Sequence, residues 1–228
     1  MKKHTLILLN GGIGARVSAK VPKQLIKLNG IPMVIYSLVA ADAVDDIDQI
    51  IINYPSGYLD VLKRVVDDYA IRKEIVYVPA GGTRQESVRL LLEHCLSEYV
   101  LIHESARPFV SKEDFEKIMG CNYKNVSFMT KIPFTVALVD LVNNNITGIL
   151  DRELLRNVQL PQRYETRALF TSHENALKKK KVYTDDSTLC ADFGISVNFI
   201  EGNSTNIKIT NKEDIKTMEL MMRASSDD

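Results

Sequence analysis

Leu6-Ile7-Leu8-Leu9-Asn10-Gly11-Gly12-Ile13-Gly14-Ala15-Arg16 joins four apolar residues to a glycine cluster and then a cation. Four consecutive apolar residues closed by a turn signal fit a strand buried on both faces, as in a parallel sheet. Glycines directly after such a strand let backbone N–H groups approach an anion without a Cβ in the way. In an open parallel sheet, ligands bind at that end of the strands. The spacing Gly-Gly-x-Gly-x-Arg lacks the third glycine of a dinucleotide fingerprint. Instead, Arg16 lies two residues past Gly14, and Lys23 follows seven residues later in Val21-Pro22-Lys23-Gln24. Cations so placed suit a triphosphate better than a dinucleotide.

From there apolar runs and helix-period segments alternate. Gln49-Ile50-Ile51-Ile52, 74–78, 99–102 and 126–132 read as strands, whereas 33–44, 56–69, 83–96 and 111–119 have helical spacing. Thr83 with Glu86 fits a capping box at the third of these helices. Such units predict an α/β fold, Rossmann-like and doubly wound around a mostly parallel sheet. Residues 134–163 break the pattern. Short β-prone pieces at 136–142 and 146–150 flank Asn143-Asn144-Asn145, and no long helix fits. We expect one domain over 1–228 with a protruding β-arm at about 134–163; an arm of this length usually packs on something, often a second subunit. Helices at 165–181, after Thr184 and at 211–222, with a strand at 196–200, complete the chain. Lys178-Lys179-Lys180-Lys181 fits a solvated helix C-terminus, where cations complement the dipole.

A chain of 228 residues buries enough surface to need no disulfide or metal staple. Lys+Arg and Asp+Glu both number 29, so the formal charge is zero, which argues against a non-specific nucleic-acid binder and a polybasic membrane binder. Cys95, Cys121 and Cys190 form no C-x-x-C pair, which excludes a disulfide framework and a four-thiolate zinc site. His4, His94, His103 and His173 form no H-x-x-x-H pattern. The run before Asn10 is too short for a signal peptide. No run approaches the roughly 18 residues of a membrane span, so a cytoplasmic protein is expected.

Further motifs follow in order. They are Ala80-Gly81-Gly82-Thr83-Arg84-Gln85-Glu86-Ser87-Val88, His103-Glu104-Ser105-Ala106-Arg107-Pro108, Asp151-Arg152, Pro161-Gln162, Thr184-Asp185-Asp186 and Asn206-Ile207-Lys208-Ile209-Thr210. The stretch from Gly11 to Gln24 resembles the signature of the sugar nucleotidyltransferases. With the later motifs in register, the chain resembles the cytidylyltransferases acting on methylerythritol phosphate and their relatives acting on ribitol phosphate, over about residues 5–215.

The resemblance implies attack of an acceptor phosphate oxygen on the α-phosphorus of CTP, giving a CDP-alditol and pyrophosphate. It implies Mg²⁺ as cofactor, CTP and a phosphorylated sugar alcohol as partners, and a homodimer built through the arm. A phosphate monoester is already anionic at neutral pH, so no general base is required. The barrier is repulsion between polyanions plus charge on the transferring group, and positioned cations lower it. By the same resemblance, Arg16, Lys23 and Lys208 are the catalytic cations. Asn10, Gly11, Gly12, Gly14, Gly81, Gly82, Ser87 and Ser105 line the nucleotide, and Arg84 either binds the base or braces its loop. Arg107, Arg152, Thr184 and Asp185 hold the acceptor, with Arg152 reaching across the dimer. Arg107 could alternatively pair with Glu104, which occupies the metal position.

Glu104 stands where the family usually has Asp, and Ser105 where it has a small apolar residue. Val136-Ala137 replaces an Asp-Thr pair, and Leu160 a Thr. The last two losses fall on the acceptor side. The expectation is therefore retained CTP use with an acceptor that can differ from methylerythritol phosphate.

Overall fold

The computed structural model describes residues 4–12 and 21–224. In chain order its elements are β1 (His4–Leu9), β2 (Lys27–Leu28), β3 (Ile31–Pro32), α1 (Met33–Asp42), β4 (Ile47–Tyr54), α2 (Leu59–Asp67), β5 (Glu74–Pro79), α3 (Arg84–Leu92) and β6 (Tyr99–Glu104). They continue with α4 (Lys112–Gly120), β7 (Val126–Lys131), β8 (Val136–Asp140), β9 (Asn145–Leu150), β10 (Arg156–Glu165), α5 (Thr166–Lys178), α6 (Asp186–Asp192), β11 (Asn198–Glu201) and α7 (Lys212–Ala224). Among the described residues no helix is long and apolar enough to cross a membrane.

The opening apolar run is the centre of the sheet. β1 pairs in parallel with β4 on one side and β6 on the other, with Leu6 opposite both Ile50 and Leu101. Its side chains alternate between two cores. Leu6 and Leu8 pack with Val34, Leu38, Leu62 and Phe115 from α1, α2 and α4. Ile7 and Leu9 pack with Val88, Leu91, Leu169 and Leu189 from α3, α5 and α6. Helices therefore cover both faces, and a continuous apolar run is what such a strand requires.

The seven strands run in the order β11-β7-β10-β6-β1-β4-β5. β10 is antiparallel to both of its neighbours, and the other pairings are parallel. The chain winds outward from β1 through β4 to β5, then crosses back to β6 on the far side of β1. That reversal makes the β1–β6 boundary a switch point, where the loops at the carboxyl ends diverge and leave a crevice.

Several boundaries differ from those expected. The arm is narrower than 134–163, because the chain rejoins the main sheet at Arg156 as β10. What leaves the sheet is the hairpin of β8 and β9, a separate two-stranded sheet. α2 begins at Leu59 rather than 56, since Gly57 turns the chain with φ +80° before the helix can start. At α3, Thr83 Oγ1 accepts from the Glu86 N–H at 3.0 Å. The returning Glu86 carboxylate takes the Gly82 N–H at 2.7 Å, one residue earlier than a standard capping box. The reciprocal box forms instead at α4, between Ser111 and Asp114.

Candidate active site

A cleft of about 530 Å³ opens at the switch point. The carboxyl ends of four strands converge on it: Leu9–Gly12 at the end of β1, Asn53, Pro55 and Ser56 at the end of β4, Ala80 to Arg84 after β5 and Glu104–Ala106 at the end of β6. Lys23, Gln24 and Lys208 close it from outside the sheet.

The first loop is held by buried amides. The Asn10 N–H donates to Asn53 Oδ1 at 2.5 Å, and Gln24 Nε2 donates to the Asn10 carbonyl. Gly11 passes so close that an added Cβ would sit 2.5 Å from the Ala80 Cβ and 2.6 Å from Asn53 Nδ2. Asn53 thus ties the loop after β1 to the end of β4. Asn53→Ala strands a buried N–H and is expected to cost about 1–3 kcal/mol in urea unfolding. No loss would mean that the Asn10 amide finds another partner.

The second loop approaches just as closely. A Cβ on Gly81 would meet Glu86 Cγ at 2.7 Å and the Ser87 nitrogen at 3.0 Å. Ser87 Oγ accepts from the Gly81 N–H at 3.0 Å, so this hydroxyl braces the glycine turn. Ser105 is used similarly. Both its N–H and its hydroxyl donate to the Leu9 carbonyl, at 3.1 and 3.2 Å, locking the β1 and β6 exits together.

The charged wall is a chain of ion pairs. Lys208 Nζ lies 2.5 Å from Glu104 Oε2, and Arg84 Nε lies 3.1 Å from Glu104 Oε1. Arg84 Nη2 continues to Asp186 Oδ2 at 2.8 Å. Burial works to raise the Glu104 carboxyl, but Lys208 and Arg84 outweigh it and hold it down at about 2. Burial likewise opposes the Arg84 charge, yet Asp186 and Glu104 raise its pKa further above the ordinary value. Lys23 Nζ donates to the carbonyl of Ile209, the residue after Lys208, at 3.0 Å. The Ile209 N–H in turn bonds the Ala106 carbonyl at 2.8 Å, fastening this segment to the end of β6.

The structure therefore gathers Asn10, Gly11, Gly12, Lys23, Gly81, Gly82, Arg84, Ser87, Glu104, Ser105 and Lys208 around one cleft. Gly14 and Arg16 lie outside the described residues. Four expected acceptor residues are not in the cleft lining. Arg107 Nη1 donates to the Asn206 carbonyl at 2.8 Å. Arg152 is on the arm, donating to the Pro133 carbonyl at 2.9 Å. Thr184 is exposed. Asp185 caps α6, accepting from the Ser187 and Thr188 N–H groups, and its other oxygen accepts from Gln162 Nε2 at 2.8 Å. Val136 and Ala137 lie on the arm and Leu160 in the core, so none of the acceptor-side departures lines the cleft. Asn53 is a site residue that sequence reading missed. The available signal was a polar residue closing the apolar run Ile50-Ile51-Ile52 at the carboxyl end of a strand.

Glu104, the residue expected at a metal, has each of its oxygens on a cation. It is the carboxylate in the described lining of the cleft, and no cluster of three or more metal-binding side chains occurs among the described residues. A magnesium ion carried mainly by substrate phosphates needs few protein carboxylates; in this structure Glu104 braces Arg84 and Lys208.

His103 sits beneath this wall, fully buried, with its ring edge-on to Phe115 and Nε2 3.1 Å from the Arg107 carbonyl. Burial pushes its pKa from 6.5 down to about 4. The unfolded chain takes up this proton at higher pH than the folded one, so stability drops as pH falls from 6.5 to 4. The loss is about 3 kcal/mol. Chemical unfolding across that range should show the slope in the native protein and a shallower one in His103→Gln. Parallel slopes would mean that the imidazole is charged in the fold.

A second cleft, of about 890 Å³, lies between α3 and α5. Glu93, Glu98 and Glu165 line it, with Arg167 as the one cation among the described lining residues, so it lacks the gathered cations of the first cleft.

Fold and cleft together define an α/β protein of the nucleotidyltransferase class, with glycine loops and cations at the switch point of a mostly parallel sheet. The family model described as IspD: 2-C-methyl-D-erythritol 4-phosphate cytidylyltransferase matches residues 5–224. The chain belongs to this family. It is 36% identical over 210 residues to the 2-C-methyl-D-erythritol 4-phosphate cytidylyltransferase of Dictyoglomus thermophilum, covering 89% of this chain and 90% of the relative. To that of Clostridium botulinum strain Langeland it is 31% identical, covering 94% and 95%. Among solved structures, 4-diphosphocytidyl-2C-methyl-D-erythritol synthase of Anaerococcus prevotii superposes with a TM-score of 0.86 at 28% identity, over 97% of this chain and 96% of that one.

Proposed function

We propose that the chain transfers CMP from CTP to the phosphate of a sugar alcohol of the methylerythritol 4-phosphate type. An acceptor phosphate oxygen bonds to the α-phosphorus. The bond from that phosphorus to the α–β bridging oxygen breaks, and pyrophosphate leaves with the electron pair. The observation that carries this reading is the convergence of Lys23, Arg84 and Lys208 with two closely packed glycine loops on one cleft.

In this reading the loops at Asn10–Gly12 and Gly81–Gly82 take the cytosine; Gly11 and Gly81 are glycines because Ala80, Asn53 and Glu86 leave no room for a Cβ as the loops pack together. Lys208 serves the α-phosphate, and Lys23 with Arg16 the triphosphate and the charge that grows during transfer. A unit-charge pair at 4 Å is worth about 4 kcal/mol at an effective dielectric near 20, so several fixed cations offset much of the repulsion. Arg84 braces rather than reads the base, since its Nε and Nη2 are already committed to carboxylates.

The arm supports a homodimer. Leu141, Val142, Ile146, Ile149 and Leu154 are each more than 70% exposed, and a lone two-stranded hairpin is marginal in water. Packing on a second copy would cover this surface, with Arg152 delivered to the partner's acceptor site. Val142→Asp combined with Ile149→Asp is expected to turn a dimer into a monomer by light scattering; a monomeric native protein would contradict the arrangement. Mixed dimers of Arg152→Ala and Lys23→Ala subunits should regain activity through the site that carries neither substitution.

The direct test is pyrophosphate release from each nucleoside triphosphate with a panel of alditol phosphates. Release with CTP and methylerythritol 4-phosphate is expected. Release with no pairing would overturn the proposal, and preference for another alditol phosphate would move the acceptor.

A further inference from the structure

The ion-pair chain does not stop at the cleft wall. Arg84 passes to Asp186, the first residue of α6, and Asp186 Oδ1 accepts from His173 Nε2 on α5 at 3.0 Å. The side chains of Asp186 and His173 are each 1% exposed, and neither lines the cleft. Burial opposes the Asp186 charge, but Arg84 and then His173 outweigh it and hold the carboxyl well below the usual range. A buried carboxylate and imidazole are costly unless paired. Leu169, Ala176, Leu189 and Cys190 fill the same core, so apolar packing was available for this space.

The geometry accounts for the polar pair. Arg84 lies at the first position of α3, directly after the glycine turn. Glu104 holds its Nε and Asp186 its Nη2, so two edges of the guanidinium plane are fixed. Asp186 cannot swing away, because His173 takes its other oxygen and Asp185 caps the helix that carries it. Glu104, fixed on one side by Arg84, presents its second oxygen to Lys208.

We infer that Asp186 and His173 are positioning residues for CMP transfer: they fix Arg84 and, through Arg84 and Glu104, the placement of Lys208. This rests on the proposed transfer at the same cleft. Cations already in place need no rearrangement as charge develops, and a shift of about 1 Å can cost up to about a hundredfold in rate. The loss should therefore fall on kcat rather than on CTP binding.

His173→Leu removes the donor at similar volume, whereas His173→Gln keeps an N–H that can reach Asp186. His173→Leu is expected to lower kcat about tenfold with KM for CTP within about threefold, and His173→Gln to restore most of the rate. In an Arg84→Gln background, His173→Leu should lower kcat no further, as coupling through Arg84 requires. The Arg84 Nε–H resonance should be protected in the native protein and His173→Gln and lost in His173→Leu. That signal needs no turnover, so it reads the network even if the transfer reaction fails. Equal rates for the two His173 variants, an additive loss in the Arg84→Gln background, or an unchanged Arg84 resonance in His173→Leu would each overturn the inference.

Discussion

Lys23→Ala is expected to lower kcat by about 10²–10³ while changing CTP affinity less than about fivefold. The size follows from removing one preorganised charge from a site that works by charge stabilisation. The split follows from timing, since an interaction that strengthens as the transition state forms acts on kcat and barely on ground-state binding. The structure supports such a role because Lys23 is held by the chain around it. Pro22 leads into a single 3-10 turn, Lys23–Leu25, which carries the side chain to the cleft rim. There the ammonium donates to Ile209, whose own N–H is tied to the exit of β6. Calorimetry with CTP alone, set beside steady-state rates, checks the split. Equal losses in affinity and rate would make Lys23 a ground-state anchor.

Glu104→Ala should be as damaging to rate, again about 10²–10³, and should also destabilise the protein by about 2–3 kcal/mol. Removing one partner of a buried pair typically costs 3–5 kcal/mol, because the other charge is left uncompensated. The lower figure fits here because Arg84 keeps Asp186 and is a quarter exposed. The rate falls because Arg84 loses one of its two fixed edges and Lys208 its anchor. Urea unfolding and kcat together test this. Full activity in Glu104→Ala would show that Arg84 and Lys208 hold position without it. An altered magnesium requirement at native stability would return Glu104 to the metal.

The central strands were legible because burial on both faces demands an uninterrupted apolar run, and β1 provides one. β10 was not. It carries Gln159, Gln162 and Arg163 into the interior, and their partners lie far along the chain. Gln162 bonds Ser127 and Asp185, and Arg163 the carbonyls of Met119, Cys121 and Tyr123. Polar residues satisfied by distant partners leave no periodic signal, so the segment reads as part of the arm.

The site divides in the same way. Its glycine loops are local features of two short motifs. The ion-pair chain joins Arg84, Glu104, Asp186 and Lys208, which meet only once β6, α3, α6 and the segment around Ile209 have packed. The residue types were visible, but which acid takes which base was not. The sequence alone therefore did not show that Glu104 pairs with Arg84 and Lys208, or that Asp185 caps α6.

A crystal structure with CTP bound tests the central claim most directly. The account places the cytosine against Asn10–Gly12 and Gly81–Gly82, with the phosphates running toward Lys208 and Lys23. A nucleotide bound away from the β1–β6 crevice, or phosphates turned from both lysines, would contradict it.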